Sequence, residues 1–365
     1  CSMARIRPDG SGFEVTSVGP NNIWGLALTG EGEAFIQEAN DYGYPIMAFH
    51  EYAYYPGGMR AFKKSYQPSF PPSTTFRMGG TGLSGLALLE NGPAVDTEAD
   101  LSMLVANPII SKVQALAMHR DGPRWKFEQR PDFIRCDDPF FRPVAMTQGP
   151  DGCLYIVDWY NKIISHNEVR RNHPDRDKTR GRIWRLKPTS GEVLLPIPDF
   201  TKLKTEELIA MLGRQPTARA HLAWQTLAGR GDDLTRSALN AVLSTEISDA
   251  KRIQAFWALG DPGWSGAPFV DSGNRNVRRE LARYPSFAAR LVADPDPEVR
   301  FAAFTALGRK LPSDADKILS QVLAAVQPVV AGPSVKSTRT NKPIPAAEAY
   351  DRQFERFLVR FFLER

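Results

Sequence analysis

Five histidines, one loop crowded with oxygen donors and three neighbouring arginines are the side chains here whose types and spacing could do chemistry. Histidine titrates near neutral pH, so His50, His119, His166, His173 and His221 are the natural candidates for taking a proton from a hydroxyl. The loop Gln37-Glu38-Ala39-Asn40-Asp41-Tyr42-Gly43 places the oxygens of Glu38, Asn40 and Asp41 close together, a donor set suited to a hard cation. The same letters are also ordinary turn chemistry. Arg142, Arg180 and Arg182 could hold an anionic ligand, or could pair with Asp175 and Asp177. Asp158 could hydrogen-bond a ligand or orient His166, or cap a loop by accepting backbone N–H bonds.

Two kinds of element must position these groups. Up to residue 195 the chain alternates short apolar runs with Pro-Asp-Gly, Gly-Glu-Gly, Asn-Gly-Pro and Arg-Asp-Gly turns, which predicts antiparallel strands. One strand word recurs. Gly25-Leu26-Ala27-Leu28 returns 60 residues later as Gly85-Leu86-Ala87-Leu88, and Val144-Ala145-Met146 follows after a similar interval. A second hairpin type joins Ala4–Arg7 to Phe13–Val15 and Leu116–Asp121 to Trp125–Phe127, and runs from Arg182–Lys187 to Glu192–Leu194. A hairpin repeating at a long fixed period predicts a β-propeller, here about three blades and an orphan outer pair. Three blades cannot close a ring, so the expectation is a partial propeller over residues 1–195.

After the Pro-rich Leu195-Pro196-Ile197-Pro198-Asp199-Phe200 the period becomes helical, with Thr205 the expected N-cap of the first helix. Ala223-Trp224-Gln225-Thr226-Leu227, Ala255-Phe256-Trp257-Ala258-Leu259 and Ala303-Phe304-Thr305-Ala306-Leu307 are spaced 32 and then 48 residues apart, each led by an arginine. Asp294-Pro295-Asp296-Pro297 should start a helix, and Gly308 should end it. This predicts a HEAT-like α-solenoid over residues 200–365, with its Ala, Leu and Trp residues in the core and Arg300 paired to an acid on a neighbouring repeat. Residues 328–345 read as an exposed loop. The fold class is therefore two-domain, all-β then all-α.

Hydrophobic residues make up 42% of the 365-residue chain and charged residues 24%, so a packed core is expected throughout. A net charge of +5 is scattered rather than clustered, which argues against a nucleic-acid footprint. No apolar run approaches the roughly 18 residues of a membrane span. Three cysteines are too few for a disulfide framework; Cys136 and Cys153 are either a pair or two buried thiols. No signal-peptide pattern is present, and both ends read as cuts within a longer protein.

The words Phe141-Arg142-Pro143-Val144, Gly149-Pro150-Asp151-Gly152-Cys153-Leu154-Tyr155, Asp158-Trp159-Tyr160-Asn161 with His166, and Gly181-Arg182-Ile183-Trp184-Arg185 resemble a large family of exported bacterial proteins described as membrane-bound dehydrogenases, abundant in planctomycetes and verrucomicrobia. The resemblance implies a propeller like that of quinoprotein sugar dehydrogenases, then HEAT repeats, often then a cytochrome c domain, in the periplasm or outside the cell. It implies pyrroloquinoline quinone and calcium as cofactors, and haem c only outside this chain.

In that frame Gly19-Pro20-Asn21-Asn22-Ile23-Trp24-Gly25-Leu26 matches a quinone-contacting loop, with Asn22 at the family's Asn and Asn21 where the family has Arg. Asn21, Asn22 and Arg142 would then face the quinone, and Glu38, Asn40 and Asp41 a calcium. The family's base is absent from this stretch, which leaves His166 as the histidine of the resembling block. Two functions follow. One is a fragment of a sugar or polyol dehydrogenase, inactive alone, whose partners are missing blades and a haem domain. The other is a non-catalytic propeller–HEAT scaffold that binds carbohydrate or protein.

Overall fold

The computed structural model describes residues 2–7, 10–40, 45–55, 63–72, 77–79, 81–90, 95–164, 169–187, 196–245, 247–261, 263–309, 315–336 and 341–364. Strands β1 (Ser2–Arg5) and β2 (Glu14–Val18) form a separate antiparallel pair. The first main sheet is β3 (Ile23–Leu28), β4 (Ala34–Glu38) and β5 (Ile46–Ala48). The second runs β6 (Ser84–Leu88), β7 (Leu101–Asn107) and β8 (Lys112–Asp121), with β9 (Arg124–Gln129) and β10 (Ile134–Arg135) both pairing to β8. The third is β11 (Pro143–Gln148), β12 (Leu154–Asp158) and β13 (Arg182–Leu186). The expected return strand at 192–194 lies outside the described residues.

The sheets stack face to face because their strands alternate. In the second sheet Leu86, Met103, Val105, Leu116 and Met118 pack on Ala27, Phe35, Ile46 and Ala48 of the first. The opposite faces of the same strands, Ala87, Leu104, Ala106, Val113 and Ala115, pack on Met146, Leu154 and Ile156 of the third. The leading strands β3, β6 and β11 lie side by side. A Cβ on Gly85 would meet the Ala145 backbone at 2.9 Å, and one on Gly25 would meet the Leu86 Cβ at 2.7 Å, so only glycine allows this approach.

The two Gly-Leu-Ala-Leu words are one residue out of structural step. Each leading strand carries a β-bulge near its start, between Ile23 and Gly25, Ser84 and Leu86, and Pro143 and Ala145. Pairing then aligns Ile23 with Ser84 and Pro143, and Glu38 with Ala106 and Asp158. Gly25 therefore corresponds to Leu86, not to Gly85.

Among the described residues, nine α-helices follow: α1 (Thr205–Met211), α2 (Thr217–Arg230), α3 (Asp233–Leu243), α4 (Asp249–Leu259), α5 (Arg275–Ala282), α6 (Pro285–Leu291), α7 (Pro297–Arg309), α8 (Ala315–Ala325) and α9 (Ala347–Leu363). The three Ala-rich words fall on α2, α4 and α7. Thr205 is the first helical residue rather than the N-cap; the Lys204 N–H is instead taken by Glu207 at 2.7 Å. Helix α7 continues past Gly308, which serves packing: a Cβ there would lie 2.5 Å from the Phe361 ring. The stretch read as an exposed loop contains a small hairpin, β14 (Ser334–Lys336) with β15 (Pro343–Pro345). Arg300 pairs with Glu355 of α9, as its position predicts, at 2.9 Å.

The sheet and helical regions share one core. Ile36, Met47, Ala53, Tyr55 and Phe70 belong to the same buried cluster as Phe256, Phe301, Phe304 and Phe354. Helices thus cover the face of the first sheet that points away from the second. Among the described residues the corresponding far face of the third sheet carries no such cover, and Val157 and Ile183, cross-strand neighbours on it, are 42% and 72% exposed. Among the described residues no helix is long and apolar enough to cross a membrane.

Candidate functional site

The bulged ends of β3 and β11 gather most of the sequence-derived candidates at one mouth of the sheet stack. Glu38 is buried there. Its carboxylate accepts the backbone N–H of Asn21 at 2.9 Å and of Asn22 at 3.0 Å, and the Asn40 side-chain amide at 3.0 Å. Asp158, at the equivalent position of the third sheet, accepts the backbone N–H of Arg142 at 2.8 Å and of Tyr160 at 2.9 Å. Its other oxygen takes Arg182 Nε at 2.7 Å and Trp184 Nε1 at 3.1 Å. The two carboxylates are therefore latches that tie the residue before a bulged strand to the end of its partner strand. The second sheet has Ala106 at this position and no latch.

Several other polar groups at this mouth are also engaged. Asn22 Oδ1 accepts Trp24 Nε1 at 2.9 Å, and Asn40 Oδ1 accepts the Thr81 hydroxyl at 3.0 Å. The Arg142 guanidinium binds Ser111 Oγ and the carbonyls of Phe141 (3.2 Å) and Lys162 (3.0 Å). Arg180 pairs with Asp177, as the plainer sequence reading has it, while Arg182 pairs with Asp138 and Asp158 and Asp175 with Lys162. Asp41 and His166 lie outside the described residues. Among the described residues no group of three His, Cys, Asp or Glu side chains could hold a metal ion.

A polycarboxylate quinone needs uncommitted cationic donors, and a calcium needs carboxylate oxygens not already receiving N–H bonds. Among the described residues the buried Arg142 Nε has no hydrogen-bond partner, whereas the Glu38 and Asp158 carboxylates already receive N–H bonds, so these side chains keep one cationic donor for an anion and offer a calcium no uncommitted carboxylate. Cys136 and Cys153 are both free thiols.

A second site is a cleft of about 560 Å³ between the first strands and the helices. The β3–β4 turn builds it. Gly32, at φ +83°, brings the turn so close that a Cβ would sit 2.7 Å from Glu280 Oε1 and 3.0 Å from the Trp257 ring. Arg279 donates to the Glu31 carbonyl at 2.6 Å and Gln254 to the Gly30 carbonyl at 3.0 Å, which fixes the turn among α4 and α5.

The aromatic wall comes from α2 and α4. Trp224 and Trp257 meet edge to face with centroids 5.5 Å apart, and His221 stands at right angles to Trp257 at 5.9 Å. Both tryptophans are half-buried and line the cleft, a departure from their expected place in the core. Trp257 Nε1 donates to Glu280 at 3.0 Å. Helix α7 adds the stripe Glu298, Phe301, Ala302, Thr305, Ala306 and Arg309, spaced three or four apart.

Burial depresses the His221 pKa against the raising effect of a hydrogen bond to the Thr29 backbone, which keeps the ring neutral at neutral pH. His221 also lines a smaller recess, about 210 Å³, at the end of the inner strands opposite the Asn22 mouth. His50 is core: Nε2 meets the Pro123 carbonyl at 3.1 Å, and burial lowers its pKa. His119 lies 3.8 Å from Glu128, and His173 Nδ1 accepts the Asp175 N–H at 3.2 Å.

The solved structures similar to this chain include an oxidoreductase from Thermus thermophilus given as a glucose dehydrogenase (22% identity, 47% of each chain, TM-score 0.33). Two further glucose dehydrogenases are similar at 22% identity (40% of this chain and 39% of that one, TM-score 0.26) and 18% identity (50% and 49%, TM-score 0.29). The chain spans about half the length of these proteins or less. No curated protein matches it. The profile of a family described only as a domain of unknown function, DUF7133, matches residues 2–190, which is more than half of the chain. The chain therefore belongs to the DUF7133 family.

Proposed function

We propose that this chain is the sheet-and-helix scaffold of a protein related to sugar dehydrogenases, and that it binds a carbohydrate or polyol in the cleft between the first sheet and the helices. In this reading the three sheets are blades of a partial propeller, the helices are HEAT-like repeats, and the protein works in the periplasm or outside the cell. The observation that carries it is the cleft itself. The apolar C–H face of a sugar ring packs on an indole such as Trp224 or Trp257, while its hydroxyls bond to fixed carboxylates and guanidiniums such as Glu280 and Arg283.

Titration calorimetry of the chain with glucose, sorbitol and short glucans tests the proposal. Heat of binding that Trp257→Ala and Trp224→Ala both abolish, with the fold intact by circular dichroism, is the expected result. Full binding by both variants refutes it.

A second reading is favoured by one observation. Asn22, inside the Gly19–Leu26 frame, and Arg142 hold equivalent positions before bulged strands at the same mouth. In that reading the full-length protein oxidises the sugar with a bound quinone and calcium, and passes electrons to a haem c domain. The N–H bonds that Glu38 already accepts favour the scaffold for the chain alone. Dye reduction with aldoses, quinone and calcium above a denatured blank would reverse that preference.

A further inference from the structure

The cleft is floored by a closed lattice of fixed charges. At its rim Arg5 and Arg309 share Glu14 and Glu51, and Arg283 bridges Glu51 to Glu280. At its base Arg279 joins Glu280 to Glu33 and Glu298, which Arg120 and Arg275 also contact, and Arg275 reaches Asp296. Among the described residues the lattice contains six guanidiniums and six carboxylates, whose formal charges cancel.

Its interior charges act on one another. Burial works against ionisation of Glu298, yet Arg279 and Arg275 hold its pKa well below the usual range. Burial, with the charge of Glu298, pushes Glu33 up against the pull of Arg279. Glu298, Arg279 and Glu280 are buried, while Arg5 and Arg283 at the rim are 46% and 39% exposed and reach solvent.

We infer that the cleft selects neutral sugars against sugars bearing a carboxylate or an amine, an inference that rests on the carbohydrate reading above. A charged ligand would add an uncompensated charge beside partly buried ions, where screening is weak and desolvation is costly. A carboxylate approaching Arg5 or Arg283 would also approach Glu51 and Glu14. An ammonium approaching Glu51 would meet three guanidiniums.

A hydroxyl meets neither problem. It donates to a carboxylate and accepts from a guanidinium at once, and the balance is kept. At the rim, Glu51 Oε1 is held by Arg5 Nη1 and by Arg283 Nη1 at 3.4 Å each, long contacts that a hydroxyl can replace with shorter bonds to the same groups.

Calorimetry with glucose, glucuronate and glucosamine, at low and at high salt, tests this. Glucose should bind with a salt-independent Kd, and both charged sugars at least about tenfold more weakly. Glu51→Gln removes one carboxylate and should shift the glucuronate-to-glucose affinity ratio about tenfold toward glucuronate. Arg309→Gln should shift the glucosamine-to-glucose ratio the other way round, toward the amine, and provides a second variant if Glu51→Gln does not fold.

Glucuronate binding the native chain as tightly as glucose, or ratios unmoved in a folded variant, overturns the selectivity while the carbohydrate reading stands. Absence of binding by all three sugars overturns the carbohydrate reading, and the selectivity with it.

Discussion

Replacing Arg300 by alanine should destabilise the protein more than any exposed substitution. Its guanidinium donates to Glu355 Oε2 from Nε at 3.1 Å and from Nη2 at 2.9 Å, and from Nη1 to the carbonyls of Asp294 at 2.7 Å and Pro295 at 3.1 Å. The side chains of the pair are 7% and 1% exposed. Truncation leaves the Glu355 carboxylate buried with only the Gln327 N–H, at 3.4 Å, and frees the Asp-Pro-Asp-Pro turn before α7.

Breaking a buried pair on one side costs about 3–5 kcal/mol. For a chain of this size that lowers the thermal midpoint by on the order of 10 °C. The loss should spread to the first sheet, because Phe301 and Ile36 share one core, and should spare the third sheet, which packs elsewhere. Hydrogen exchange therefore should quicken in α7, α9 and β3–β5 and stay slow in β11–β13. Arg300→Met with Glu355→Leu should recover most of the loss, since the stranded charge is then gone. A midpoint within about 1 °C of the native chain, or a double variant no better than the single one, would refute the assigned role.

Gly32→Ala should push the β3–β4 turn off Trp257 and Glu280, with a cost of about 2–4 kcal/mol from the left-handed backbone and the overlap together, and tryptophan fluorescence should report the displaced ring. Asp151 sets an acid limit. Burial opposes its charge, but Arg185, the Cys153 N–H and Tyr155 hold its pKa down from 3.8 to about 2. The folded pKa is the lower one, so its stabilisation is complete above 3.8 and is lost as pH falls through 2. Asp151→Asn should be less stable at neutral pH and flatter in this window; an unchanged acid profile would contradict the assignment. The open face of the third sheet should drive association at micromolar concentration that Ile183→Lys suppresses, read by light scattering. A strictly monomeric native chain would count against that.

The strands and the helices were legible because each depends on residues close in sequence, and Arg300 was legible as one half of an ion pair from its place after Asp-Pro-Asp-Pro, while its partner 55 residues on was not. Apolar runs between glycine turns predict β6, β8 and β9, and Asp-Pro pairs with small residues predict α7. The repeat words misled by one position because letters do not show a bulge. Trp24, Gly85 and Val144 occupy equivalent bulged places with three unrelated side chains. Glu38 read as a cation ligand because a carboxylate beside Asn and Asp looks alike whether it awaits a metal or accepts N–H bonds from a turn 16 residues earlier. The cleft could not be read at all, since its lining runs from Met3 to Phe354. One signal was present: on α7, Glu298 and Arg309 share a stripe with Phe301 and Thr305, a mixed face unlike a plain core stripe.

The division into a strand region and a helical region, plain in the sequence, is not a division of the folded molecule. The Gly30–Glu33 turn enters the helical layer, Glu90 of the second sheet accepts the first N–H of α2 at 2.9 Å, and Glu33 is a member of the charge lattice with three arginines. Each of these joins residues more than 80 positions apart in a partly buried setting, where an unmade polar contact costs most. The sheet cannot release the helices without exposing the apolar face of Ile36 and Met47 and taking two of its three arginines from Glu33. A ligand in the cleft touches both regions, so it binds only the docked arrangement, and by mass action it must stabilise that docking. The helical region then does for the first sheet what a neighbouring blade would do, covering its outer face, and it builds the cleft in the process.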